Sequence, residues 1–340
     1  MDPVGTGALM RKWMVVVLLL LSGLPAAAQT PRHYVFFEFD RHRIQEPGFL
    51  EHPGIEGAQL KYSWRELEPS PGEYDFSSIT ADLEFLESHG KRLFIQLQEV
   101  SFVPTIVNVP QYLLDDPVYG GGAALMYGSA DDSSEPTPEG WVARRWDPEV
   151  RERFGQLLRE MARMFDGRIE GINLPESSIG FGAPSLYPAD FSASDYRDSI
   201  VEIMSMARSA FATSVVIQYA NFMPGESLPE DDKGYLKSVY AHADSSGIGV
   251  GGPDLLPYRW YQQQHSLPLI RGRAQETVAG VAVQFGNYGD VHRRTGQVIT
   301  VPELHAYARD DLHVDYLFWS TEEPFYSRDV LPYLRESGTR

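Results

Sequence analysis

Glu176 lies in the run 168–180 (RIEGINLPESSIG), in which a mostly apolar strand pattern over 169–174 stops at Pro175 and delivers this carboxylate just past its end. A carboxyl partly withdrawn from water at such a place keeps its proton near neutral pH and can donate it to a leaving oxygen. That chemistry needs a second carboxylate. Asp254 is the leading candidate: it follows Gly249-Val250-Gly251-Gly252-Pro253, where glycine lets backbone approach a ligand and proline holds the aspartate rigidly. Glu38 and Glu99, also close to strand-like runs, are further candidates. Amides and phenols stand at the other strand ends, at Gln98, Asn173, Tyr219, Asn221, Asn287 and Tyr288. Ringed by tryptophan, such groups suit a neutral ligand rich in hydroxyls. The nine histidines have no metal-ligand spacing and no H-E-x-x-H occurs, so neither a metal nor another cofactor is expected. Gly249 to Gly252 lacks the Walker lysine and the dinucleotide spacing, and there is no G-x-S-x-G elbow for a serine nucleophile.

The elements that must position these residues alternate between strand and helix. Short apolar runs predict strands over 33–39, 57–62, 92–97, 169–174, 214–220, 247–252, 278–284 and 314–319. Helices are predicted over 77–89, 147–165, 194–210 and 302–311. The second begins with an Asp cap and a first-turn proline, and repeats Val150, Phe154, Leu157, Leu158, Met161 and Phe165 on one face. Alternation of this kind implies a parallel sheet, and eight repeats imply closure into a single (β/α)8 TIM barrel. One connection is far longer than the others: 101–146 follows the third strand and would stand over the C-terminal mouth. Its Tyr112, Tyr119, Tyr127 and Trp141 are cleft-wall residues rather than linker residues.

Bulk properties narrow the setting. Arg11 and Lys12 precede an apolar run over 13–21, and Ala26-Ala27-Ala28 follows, which predicts a signal peptide over 1–28 cleaved near Ala28. The run is shorter than the roughly 20 residues a spanning helix needs. Export to the periplasm or the medium is expected, without stable membrane insertion, leaving residues 29–340 as one domain. The chain has 340 residues, no cysteine and a formal charge of −18. Such acidity argues against nucleic-acid and acidic-lipid partners. Without cysteine there are no disulfides, and apolar burial must hold the fold.

The stretch 57–76 (GAQLKYSWRELEPSPGEYDF), followed by a helix and KRLFIQLQ, resembles the second and third barrel strands of clan-A-like glycoside hydrolases. A W-x-x-L-E-P-x-x-G-x-Y-D-F run links those strands, here Trp64, Leu67, Glu68, Pro69, Gly72, Tyr74, Asp75 and Phe76. By type these residues are scaffold. In that family a helix opening D-P-x-V leads to strand four and its acid/base glutamate, often written Asn-Glu. This chain writes Asn173-Leu174-Pro175-Glu176. Trp319, ending the eighth strand, matches the ring on which the family stacks the sugar of the reactive subsite.

The seventh strand departs from the pattern. Gln284 occupies the slot of the retaining nucleophile, and an amide cannot attack an anomeric carbon. The resemblance therefore implies a secreted hydrolase cleaving O-glycosidic bonds of a poly- or oligosaccharide, with Glu176 as general acid/base and Gln284 and Trp319 among the sugar-binding residues. If Asp254 stands about 6.5–9.5 Å from Glu176, an inverting reaction becomes possible, with Asp254 activating water. The alternative that Gln284 favours is a carbohydrate-binding barrel that has lost hydrolysis. A structural envelope protein is a third reading.

Overall fold

Runs of branched and aromatic residues only four to seven long suit strands covered on both faces. The computed structural model, which describes residues 30–128 and 136–337, contains eight of them. They are β1 (Arg32–Phe36), β2 (Gly57–Ser63), β3 (Arg92–Gln98), β4 (Gly171–Leu174), β5 (Val215–Tyr219), β6 (Gly249–Gly252), β7 (Ala279–Val283) and β8 (Tyr316–Ser320). Each pairs in parallel with its neighbours in sequence, and β1 closes onto β8 with Arg32 opposite Tyr316 and Phe36 opposite Ser320. The eight expected strands form, within two or three residues of their expected ends, and the fold is a (β/α)8 TIM barrel. The expected signal peptide and its cleavage position lie outside the described residues. Among the described residues no helix is long and apolar enough to cross a membrane.

Helices packed around the strands include α1 (Ser77–Ser88), α2 (Pro148–Phe165), α3 (Ala193–Ala210), α4 (Tyr235–Ser246), α5 (Ser266–Gly272) and α6 (Val301–Ala306). The Asp147 carboxylate caps α2 by accepting from the backbone N–H of Glu149 at 2.8 Å and of Val150 at 3.3 Å. Ser192 caps α3, accepting from the Asp195 N–H at 3.0 Å, so the helix begins at Ala193, one residue before its expected start. Sequence patterning misses α4, which starts at a left-handed Gly234 with no side-chain cap to announce it. The expected 302–311 helix is α6 and a widened last turn, Tyr307–Asp311. The long connection after β3 is no open loop. It carries an antiparallel sheet of Val100–Ser101, Ala123–Tyr127 and Pro138–Ala143, with the last strand in the centre.

Strand alternation divides the core. Tyr34, Phe36, Phe94, Ile217, Tyr219, Ala282, Tyr316 and Phe318 fill the barrel, while the alternate residues pack outward against the helices. The N-terminal end is closed by Glu170, which accepts from Arg92 Nη1 at 2.9 Å and from the Tyr316 hydroxyl at 2.6 Å. β6 and β7 bring almost no side chain inside. A Cβ on Gly251 would stand 1.7 Å from the Gly280 carbonyl oxygen, and one on Gly280 would meet Ile217 Cδ1 at 2.8 Å. Glycine here lets two strands and two large neighbours share the space beneath Asp254. Gly251→Ala should therefore cost about 2–3 kcal/mol and lower the thermal midpoint by roughly 3–5 °C. Gly252→Ala, whose Cβ meets nothing within 4 Å, should stay within about 0.5 kcal/mol of wild type. Equal midpoints for the two variants in differential scanning calorimetry would refute this packing account.

Candidate active site

Pro175 ends β4 because it can neither donate to the ladder nor extend the strand, and the chain turns over the mouth at Glu176. The turn is pinned on both sides. Gln218 Nε2 donates to the Pro175 carbonyl at 2.7 Å, and the Ser177 N–H donates to the Tyr219 carbonyl at 2.9 Å. Ser177 Oγ donates to the Phe222 carbonyl at 2.7 Å, tying the β4 and β5 ends together. From the far side Arg145 Nη1 donates to the Glu176 carbonyl oxygen at 2.7 Å. Arg145 is itself buried against Glu99, whose other carboxylate oxygen accepts from the Ala143 N–H at 3.2 Å. Glu99 is thus the partner of a structural cation and does not face the mouth as a catalytic carboxylate.

The Glu176 side chain is partly buried, and its Oε2 accepts from Asn221 Nδ2 at 2.7 Å. Its Oε1 has no hydrogen-bond partner among the described residues. Burial pushes the carboxyl up to about 7; donation from Asn221 opposes this, the Asp254 charge adds to it, and Arg145 and Lys61 pull the other way. Asp254 follows β6. Gln284 Nε2 at 2.7 Å and Asn287 Nδ2 at 2.9 Å both donate to its Oδ1, leaving Oδ2 without a partner among the described residues. The Asp254 charge acts on Glu176 across the mouth, and Gln284 holds Asp254 in place. Glu38, left-handed at φ 43° just beyond β1, pairs with Lys61 at 3.1 Å at the same mouth.

Below this layer lies a floor of amides. Gln59 Nε2 donates to Asn173 Oδ1 at 2.7 Å and to the Tyr219 hydroxyl at 2.9 Å. Gln59 Oε1, Gln96 Oε1, Asn173 Nδ2 and Ser320 Oγ are buried without a protein partner, so hydrogen-bonding capacity remains under the mouth. Gln98, half-buried at the end of β3, continues the face of Gln96 upward.

Three expected ligand-binding residues are buried and act as braces. Trp319 is fully buried on the outward face of β8, and its Nε1 donates to His33 Nδ1 at 3.2 Å. Alternation puts Phe318 and Ser320 inward and Trp319 outward, so it offers no ring to a sugar. Tyr288 is buried too, donating to the Ser320 carbonyl at 3.1 Å and stacked on Phe325 at 5.2 Å. Asn287 is used up in holding Asp254 and accepting the Leu255 N–H at 2.9 Å. Exposed rings of the mouth loops are Phe39 after β1, Trp260 and Tyr261 after β6 and Phe285 after β7. The Tyr261 phenol lies within reach of the Asp254 charge. Sequence reasoning missed these rings, Lys61 and Arg145, because nothing local distinguishes a mouth aromatic from a core one. Among the described residues no three acidic or histidine side chains converge as a metal would require.

The raised pKa of Glu176 has a consequence for stability. Glu176 releases its proton near 4.5 when unfolded and near 7 when folded, so its favourable contribution is full below about pH 4.5 and lost as pH rises through about 7. Glu176→Gln stays neutral at every pH. It should gain on the order of 1–3 kcal/mol at pH 8 and almost nothing at pH 4, read from urea midpoints. No gain at pH 8 would mean that the carboxyl is well solvated.

No protein-family model and no curated protein matches this chain. Solved structures do. A β-galactosidase from Bacillus circulans sp. alkalophilus superposes with TM-score 0.57 at 12% identity, over 91% of this chain and 55% of its own. A β-galactosidase from the psychrophilic Marinomonas ef1 gives 0.55 at 11% identity, over 91% and 59%. The exo-β-1,4-mannosidase Op5Man5 from Opitutaceae bacterium strain TAV5 gives 0.51 at 12% identity, over 92% and 60%. This chain spans somewhat over half the length of each. At such identities the likeness is one of fold: the closed eight-stranded parallel barrel fits that of the TIM-barrel glycoside hydrolases.

Proposed function

We propose that this chain is an exported glycoside hydrolase that cleaves O-glycosidic bonds of a poly- or oligosaccharide with inversion, Glu176 acting as general acid and Asp254 as general base. The observation that carries the reading is the Glu176 carboxyl, raised to about 7 by burial and by the charge of Asp254. A carboxyl that burial keeps protonated near neutral pH is what a general acid requires, with a second carboxylate opposite it as base. Glu176 gives its proton to the glycosidic oxygen as the bond to the anomeric carbon breaks. Water adds to that carbon from the other face and loses its proton to Asp254. Glu176 is left ionised and Asp254 protonated, and exchange with solvent restores both. Gln284 is a donor to Asp254 rather than a nucleophile, which supports inversion over a covalent intermediate. The unpaired Gln59, Gln96 and Asn173 atoms support a hydroxyl-rich ligand.

Reducing-sugar release from a panel of neutral polysaccharides tests the reading. Glu176→Gln and Asp254→Asn should each lower kcat by about 100-fold or more, as expected for lost general acid/base catalysis. Equal release by wild type and Glu176→Gln would sink the acid role. Because Glu176 must be protonated, kcat/KM should decline above about pH 7. Asn221→Ala removes a donor that favours the ionised form, so that alkaline limb should move to higher pH. An unmoved or lowered limb would assign it to another group. Gln284 in the nucleophile slot favours one rival, a barrel that binds carbohydrate without cleaving it. Binding by wild type with no turnover on the panel would establish that rival.

A further inference from the structure

Beside the mouth, between the antiparallel sheet and the β4–α3 loop, lies a cavity of about 290 Å³. Phe102, Met126, Tyr127, Glu139 and Tyr187 line it, with the loop residues Ser178 to Gly182. Its walls are joined where the Tyr127 N–H donates to the Gly180 carbonyl at 3.0 Å. The volume is at the small end of ligand cavities. The lining combines three features. Phe102 is 49% exposed and Tyr187 37%, two aromatic faces left to solvent in a chain that buries most of its rings. Tyr187 is braced by Phe181 at 5.3 Å and Phe191 at 5.5 Å, so its ring is held in place. The Glu139 carboxylate and the Tyr127 and Tyr187 hydroxyls supply polar groups around those faces.

Flat apolar rings edged by acceptors suit the CH face and hydroxyl rim of a sugar. The Glu139 charge and the net charge of −18 disfavour an anionic occupant. One wall of the cavity belongs to the loop that carries Glu176, Ser178 lying two residues beyond it. We propose that this cavity is a second carbohydrate subsite, holding a distal unit of a neutral glycan whose scissile bond lies at Glu176, so that the protein acts on chains rather than on lone terminal sugars. The inference rests on the hydrolase reading and adds to it the length of the substrate.

Phe102→Ala and Tyr187→Ala test it. The probes are hexasaccharides of β-1,4-linked glucose, mannose and galactose, set against the matching 4-nitrophenyl monosaccharides. In each variant the ratio of kcat/KM for the hexasaccharide to that for the nitrophenyl sugar should fall roughly 3- to 10-fold, the worth of one aromatic contact. An unchanged ratio in both variants overturns the subsite. Calorimetric titration of the hexasaccharides separates this failure from that of the hydrolase reading. If wild type binds but cleaves none of them, weaker binding by Phe102→Ala still supports the subsite while hydrolysis is lost. If wild type binds none of the three hexasaccharides, the subsite is overturned. Circular dichroism melting curves matching wild type confirm that each variant is folded.

Discussion

Everything at the mouth depends on strand alternation inside a closed parallel barrel. Closure leaves no edge, so every strand must send one set of side chains inward and the other outward. Along the inner faces the chain changes character with height. Tyr34, Phe94, Ile217 and Phe318 fill the middle, Gln59, Gln96, Asn173 and Tyr219 form the next layer, and the charged groups stand above them. A dry aromatic plug carries a layer of amides, and that layer carries the carboxylates. Withdrawal from water raises the pKa of Glu176, and the plug and amide floor are what withhold it.

The acid is also held from the side. Arg145 and Glu99 are both 2% exposed, and a buried charge left without its partner would be costly. Their pairing is therefore tightly constrained, and the arginine spends its remaining reach on the Glu176 carbonyl and the Tyr196 hydroxyl. The long excursion after β3 is thereby coupled to the β4 loop. Its antiparallel sheet is more than a wall, because the strand Pro138–Ala143 leads directly to the arginine that positions the acid.

Gln284 shows how one amide organises a neighbouring strand end. From beyond β7 it donates to Asp254 beyond β6, assisted by Asn287. Asp254 is thus clamped through a single oxygen.

The barrel was legible in sequence because its causes are local. Eight short apolar runs, an Asp-Pro helix start and turn residues in the Trp64–Phe76 stretch each act over a few residues, and Glu176 was found because Pro175 ends its strand visibly. Asp254 and Asn221 were legible by the same logic of strand ends. Trp319 was misread because its position by number says "end of β8" while its parity says "outside", and only the register of β1 against β8 fixes the parity. Tyr288 and Asn287 were misread because being near a strand end does not distinguish a side chain that faces a ligand from one that braces a loop. Arg145, Lys61, Trp260 and the cavity beside Tyr187 come from pieces distant in sequence, and no local pattern announces them. The sequence alone determined which elements form and where they stop, since hydrophobic period, caps and prolines act at short range. Which side chains share the mouth, and with what charge, was decided only when closure brought strands far apart in sequence side by side.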